Sequence, residues 1–211
     1  MVDEAKFRLY FIMGSNNTNK DPLRVLEQAI KGGITMFQFR EKGVNAKTGA
    51  EKRELGWQLR QKCRNYNIPF IVNDDVELAN DLDADGIHIG QNDESIQYVH
   101  KRVPSHYMIG VSVSNPDEAV QAEKQGADYI GVGPIYQTFT KENAMNPIGL
   151  TGLKDIRNRT DTIPIVAIGG ITNDSAPHVM QSGATGIAVI SAISQAEDSY
   201  ASACRLFRVV K

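Results

Sequence analysis

Gly32-Gly33-Ile34-Thr35-Met36-Phe37-Gln38-Phe39-Arg40-Glu41-Lys42-Gly43 decides the fold, because it runs from a helix stop through a strand to a polar strand end. The paired glycines end a helix, and Ile34-Thr35-Met36-Phe37 brings the β-branched and aromatic types that suit a strand. Strand side chains alternate with period two, so Gln38, Arg40 and Lys42 take one face and Phe37, Phe39 and Glu41 the other. One face then carries two cations and an amide where a buried strand would carry Val or Ile. Arg offers a planar fork and Lys a mobile point charge, which is the chemistry of a phosphate or diphosphate cradle. The six residues alone also admit a plainer reading, in which Arg40 and Lys42 reach solvent or pair with Glu41.

The same joint recurs along the chain. Gly126-Ala127-Asp128-Tyr129 and Gly183-Ala184-Thr185-Gly186 each close a helix and open a strand, as Gly32-Gly33-Ile34-Thr35 does. Strand-like runs alternate with helix-like ones every ~25 residues, the βα rhythm of a parallel sheet. Eight strands are expected: Arg8–Met13, Thr35–Phe39, Pro69–Val72, Gly86–Ile89, Tyr107–Val113, Tyr129–Gly133, Pro164–Ile168 and Gly186–Ile190. Between them, Asp21-Pro22 caps a helix over Pro22–Lys31, and Leu55, Leu59 and Cys63 give Lys52–Tyr66 an apolar stripe. Further helices follow Asn115-Pro116-Asp117-Glu118 and span Asn173–Gly183. An open doubly wound sheet would carry a glycine-rich first turn, whereas the first strand here ends in Gly14-Ser15-Asn16-Asn17-Thr18-Asn19. The expectation is a single (β/α)8 TIM barrel over residues 1–211, with residues 135–147 as a mobile active-site loop.

Composition narrows the partners. With 211 residues, 23 basic against 25 acidic, the formal charge of −2 gives no support to nucleic-acid or anionic-membrane binding. Cys63 and Cys204 lack metal-ligand spacing and suit a reducing compartment. The opening Met1-Val2-Asp3-Glu4-Ala5-Lys6 lacks the apolar run of a signal peptide, and no segment approaches the ~20 apolar residues of a membrane span. Cytoplasmic location and small-molecule partners are expected, with a homo-oligomer left open.

A barrel of this kind gathers its site at the C-terminal ends of the strands. There the chain offers Gln38, Arg40 and Lys42, then Asn73-Asp74-Asp75, then His88 with Gln91-Asn92-Asp93. Ser112, Thr138, Thr140, Lys141, Gly169-Gly170 and Ile190-Ser191 complete the set. Asp74 and Asp93 suit a hard cation such as Mg²⁺, which takes one or two carboxylates and fills its octahedron with water and phosphate oxygens. A helix N-cap is the alternative for either carboxylate, and Asp75 reads as the cap. Arg40, Lys42 and Lys141 would join the cation around a diphosphate. Gly169-Gly170 and Ser191 match the phosphate site that barrels build after strands seven and eight, against the alternative of a tight turn that needs glycine. His88, between Ile87 and Ile89, reads as a satisfied structural histidine rather than a general base.

Through Tyr10-Phe11-Ile12-Met13-Gly14, Gln38–Gly43, Ile71–Asp75, Gly86–Gln91, Gly131–Tyr136, Ile168–Ile171 and Ile190–Ile193, the chain resembles the thiamine phosphate synthase family over nearly its whole length. The resemblance implies a Mg²⁺-dependent transferase that joins hydroxymethylpyrimidine diphosphate to thiazole phosphate. It implies that Gln38, Arg40, Lys42, Asn73, Ser112 and Lys141 grip the pyrimidine diphosphate, with Arg40, Lys42, Ser112 and Lys141 assisting catalysis. Asp74 and Asp93 would hold the metal, and Thr138, Thr140, Gly170, Ile190 and Ser191 the thiazole phosphate. Two departures stand out: Ser114 where many relatives carry histidine, and Glu142 beside Lys141. Ser114 weakens the related thiazole tautomerase reading. A non-catalytic phosphate-binding barrel is the alternative from another class, but it has no evident use for paired carboxylates plus a second phosphate site.

Overall fold

The computed structural model describes residues 3–138 and 146–211. Eight parallel strands close into a barrel in chain order. The first half runs β1 (Leu9–Met13), α1 (Pro22–Lys31), β2 (Met36–Phe39), α2 (Gly49–Asn65), β3 (Phe70–Asn73), α3 (Val76–Asp81), β4 (Gly86–Ile89) and α4 (Ile96–Arg102). The second half runs β5 (Met108–Val113), α5 (Pro116–Lys124), β6 (Tyr129–Val132), α6 (Gly149–Arg159), β7 (Ile165–Ile168), α7 (Ala176–Gln181), β8 (Gly186–Val189), α8 (Ser191–Ser194) and α9 (Ser199–Val210). Every expected strand is present, with its ends within one residue of the sequence reading.

Alternation divides the core into two layers. Leu9, Phe11, Met13, Phe37 and Phe39 face the helices, each phenylalanine contributing about 1.5–3 kcal/mol by burial. Phe7, Tyr10, Met36, Ile71, Tyr129 and Val166 fill the barrel interior. Pairing sets which interior residues meet: Ile12 lies opposite Gln38, Asn73 opposite His88, and Ser112 opposite Gly131. Polar side chains therefore rise together toward the C-terminal mouth above an apolar and aromatic floor.

The recurrent joint has a physical job at the other end of the barrel. Thr35, Asp85, Asp128 and Thr185 each precede an even-numbered strand, and each accepts a hydrogen bond from a backbone N–H at the first or second residue of the strand before it: Leu9, Phe70, Ile109 and Ile165. Each joint also contains a left-handed residue, Gly33, Asp83, Gly126 or Gly183. The fourth joint, Leu82-Asp83-Ala84-Asp85, escapes a search for glycine because Asp83 (φ 49°) supplies the turn instead.

Helix α1 has the expected limits, with Asp21 accepting from the Leu23 N–H at 3.1 Å. Helix α2 begins at Gly49, three residues before the expected Lys52. Helix α7 begins at Ala176 rather than Asn173, because Thr172 and Ser175 bond reciprocally at 2.9 and 3.3 Å and hold a separate turn ahead of it. The loop expected over 135–147 falls largely on residues 139–145, outside the described residues.

Candidate active site

A cavity of about 580 Å³ opens among the strand ends, and Lys42, Ser112, Thr138, Gly170, Ile190 and Ser191 all line it. Gln38 and Asn73 reach a narrow recess of the barrel interior, which Ser112 and His88 also line. Arg40, Asp74 and Asp93 are not on the cavity wall; the two aspartates adjoin it through Lys42. Thr140, Lys141 and Glu142 lie outside the described residues.

The two candidate metal carboxylates come together around a cation. Lys42 Nζ lies 2.5 Å from Asp74 Oδ2 and 3.8 Å from Asp93 Oδ1. Burial pushes the Asp74 carboxyl above the usual carboxylate range, and nearby Asp93 adds to this against the pull of Lys42. Burial opposes ionisation of Asp93 too, but hydrogen bonds from Asp74 and the Gly90 N–H, with Lys42 close by, hold it below that range. Asp74 sits in the left-handed region at φ 61°, which aspartate tolerates better than most residues. Asp75 is the helix cap, accepting from the Leu78 N–H at 3.0 Å and from Lys52 Nζ at 2.8 Å. Two hard oxygen donors already gathered around a cation fit a Mg²⁺-type site that leaves its other positions to water and phosphate.

Glu41 does not pair with Lys42. Its buried carboxylate accepts from the Ser15 N–H and hydroxyl at 2.7 and 2.5 Å and from the Lys47 N–H at 2.6 Å. These bonds tie the loop after β1 to the loop after β2 and brace the backbone that carries Arg40 and Lys42. On the other side of the barrel, Gly169 (φ 103°) and Gly170 (φ 64°) adopt left-handed conformations. A Cβ at Gly170 would lie 2.5 Å from the Gln137 carbonyl oxygen, so the turn admits only glycine at this approach.

His88 is satisfied on both ring nitrogens: Nδ1 lies 3.0 Å from the Tyr129 hydroxyl and Nε2 lies 2.9 Å from Ser112 Oγ. The structural reading of His88 is met, but one of its partners is itself a candidate substrate ligand. Sequence reasoning gave no role to Glu118, which lines the cavity and accepts from the Ser114 N–H and hydroxyl at 2.7 and 3.0 Å. The signal was present in Asn115-Pro116-Asp117-Glu118, a helix start whose acid could turn back onto the preceding residue. Gln91, counted among the strand-end residues but given no role, donates from Nε2 to the Ser112 carbonyl at 2.7 Å.

Barrel and cavity together define a (β/α)8 protein that brings a lysine, paired carboxylates and glycine turns to one mouth, a class that commonly carries a phosphate-binding site there. The chain belongs to the thiamine monophosphate synthase family, which it matches over residues 9–193. It is 54% identical over 207 residues to a thiamine-phosphate synthase of Anoxybacillus flavithermus, covering 98% of this chain and 95% of that one. It is 52% identical over 202 residues to a thiamine-phosphate synthase of Bacillus thuringiensis, covering 96% and 92%. The solved thiamine phosphate pyrophosphorylase of Pyrococcus furiosus superposes with a TM-score of 0.87 at 37% identity, covering 98% of this chain and 96% of that one.

Proposed function

We propose that this protein, acting as one barrel domain, condenses 4-amino-2-methyl-5-hydroxymethylpyrimidine diphosphate with the thiazole phosphate to give thiamine phosphate and diphosphate. One observation supports the reading most: the ammonium of Lys42 lines the cavity while lying between the carboxylates of Asp74 and Asp93. Cation, acid pair and cavity wall thus meet at one point, as a diphosphate-leaving reaction needs and a simple phosphate binder does not.

In this reading Gln38, Arg40, Lys42, Asn73, Ser112 and Lys141 hold the pyrimidine diphosphate, and Asp74 and Asp93 hold Mg²⁺. When bound, the ion neutralises charge that builds on the departing diphosphate. Arg40, Lys42 and Lys141 add fixed positive charge, and the Ser112 hydroxyl adds a hydrogen-bond donor. The bond between the pyrimidine methylene carbon and the diphosphate oxygen breaks first, and its electron pair leaves with the diphosphate. The electron-rich aminopyrimidine supports the carbocation-like centre that results. Thr138, Thr140, Gly170, Ile190 and Ser191 hold the thiazole phosphate so that the ring nitrogen's lone pair forms the new carbon–nitrogen bond. Neither a protein nucleophile nor a proton transfer is required.

Calorimetry tests the two-site arrangement. Inorganic diphosphate with Mg²⁺ and the thiazole phosphate are expected to bind together, one equivalent each, with chelation abolishing the first and sparing the second. Competition between them for a single site would overturn the arrangement.

A further inference from the structure

An unbroken hydrogen-bond chain crosses the barrel interior and joins two residues that the proposed function places against the same substrate. Gln38 Nε2 lies 2.9 Å from the Tyr10 hydroxyl, which lies 2.9 Å from the Tyr129 hydroxyl. Tyr129 lies 3.0 Å from His88 Nδ1, and His88 Nε2 lies 2.9 Å from Ser112 Oγ. The sequence makes room for this chain at two places. A Cβ at Gly110 would overlap the Tyr129 ring, and one at Gly131 would stand 3.0 Å from His88 Cε1. Burial pushes both tyrosines well above their ordinary value, so each keeps its proton and has one to give.

Tyr10 and Tyr129 each carry a single proton, as does the neutral form of His88, and with His88 in that form the links cannot be set independently. The chain runs in one of two senses. In one, Gln38 Nε2–H donates to Tyr10, Tyr10 to Tyr129, Tyr129 to His88 Nδ1, and His88 Nε2–H to Ser112 Oγ. The Ser112 proton is then left to donate into the cavity, and Gln38 Oε1 is left as an acceptor. In the other sense, which requires the Gln38 amide to turn so that Oε1 accepts from Tyr10, Ser112 donates inward to His88 and presents only lone pairs to the cavity. Those lone pairs would repel an anion.

We infer that Tyr10, Tyr129 and His88 are positioning residues that couple Gln38 to Ser112, holding the chain in the sense that makes Ser112 a donor to diphosphate and Gln38 an acceptor for an N–H of the same substrate. The inference rests on the proposed function for the placement of that substrate. It makes recognition of the two substrate ends a single event: an N–H at Gln38 and an anion at Ser112 favour the same sense of one chain.

The test combines nitrogen-15 NMR of histidine-labelled protein, saturated with Mg²⁺ and inorganic diphosphate, with kinetics of the variants. The expected wild-type His88 carries its proton on Nε2, with Nδ1 unprotonated. Tyr129→Phe cuts the chain, so His88 should become a mixture of tautomers, and KM for the pyrimidine diphosphate should rise about tenfold, the scale of one lost hydrogen bond. KM for the thiazole phosphate should stay within about twofold, a split that general loosening of the barrel would not give. His88→Gln, which can still donate to Ser112, should retain near wild-type KM, whereas His88→Leu should match Tyr129→Phe. A wild-type His88 protonated on Nδ1 would overturn the inference, as would a Tyr129→Phe protein with unchanged tautomer and KM. Absence of wild-type turnover with diphosphate still bound would instead overturn the proposed function, while the tautomer continued to decide the sense of the chain.

Discussion

Asp93 and Arg40, the proposed ligands of metal and diphosphate, are the residues at which chemistry and barrel stability can be told apart. Asp93 follows β4 and is held by the Gly90 N–H and by proximity to Lys42, with no part in the apolar core. Asp93→Ala is expected to lower turnover about a hundredfold or more, as removal of a group acting on developing charge does. Its thermal unfolding midpoint should stay within a few degrees of wild type. A large drop in that midpoint would reassign Asp93 to a structural role. Arg40→Ala removes charged hydrogen bonds proposed for the diphosphate, so KM for the pyrimidine diphosphate should rise about 10- to 100-fold and KM for the thiazole phosphate much less. Equal rises would contradict the division of the cavity into donor and acceptor sides. The sequence could single these residues out as candidates because strand-end position and side-chain chemistry are local properties. It did not carry Lys42 lying between Asp74 and Asp93, contacts 32 and 51 positions away that only barrel closure creates.

At the scale of elements, sequence and structure agree most closely where one residue type does one local job. The strands were legible from β-branched runs bounded by glycine, and α1 from Asp21-Pro22 and Gly32. Three of the four joints were legible as glycine phrases, and the fourth was hidden because Asp83 takes glycine's place. Thr185→Val deletes the acceptor for the Ile165 N–H at 3.0 Å and leaves that part-buried donor unpaired. We expect a loss of about 1–3 kcal/mol, read from the urea unfolding midpoint with an unchanged slope. A neutral result would mean that the joints do not brace the strand starts. Glu27 ties α1 to α2 by accepting from Lys31 and Lys62 at 2.7 and 2.8 Å. The bond from Lys31, then that from Lys62, lower its carboxyl to about 2. A depressed acid contributes stability above its unfolded value and loses it as pH falls through the folded one. Lys62→Ala should therefore raise the Glu27 titration midpoint in carbon-13 NMR, and high salt should shrink the difference between variant and wild type. An unmoved midpoint would show the lysine to be only a neighbour.

At the scale of the whole molecule, closing the barrel turns scattered strand ends into a single mouth. Gln38, Tyr10, Tyr129, His88 and Ser112 belong to β2, β1, β6, β4 and β5, so no window of sequence could have displayed their contacts. Tyr10 and Tyr129 read as ordinary apolar strand residues until the barrel brings their hydroxyls together. Among the described residues no helix is long and apolar enough to cross a membrane. The family shown by residues 9–193 and the gathering of Lys42, Asp74 and Asp93 at the cavity lead to the same reaction. The most direct measurement is a coupling assay with purified protein, Mg²⁺, the pyrimidine diphosphate and the thiazole phosphate, following thiamine phosphate and diphosphate together. The account predicts equal amounts of both products, abolished by a chelator and restored by excess Mg²⁺. Binding of both substrates without product, or product formation indifferent to the chelator, would contradict it.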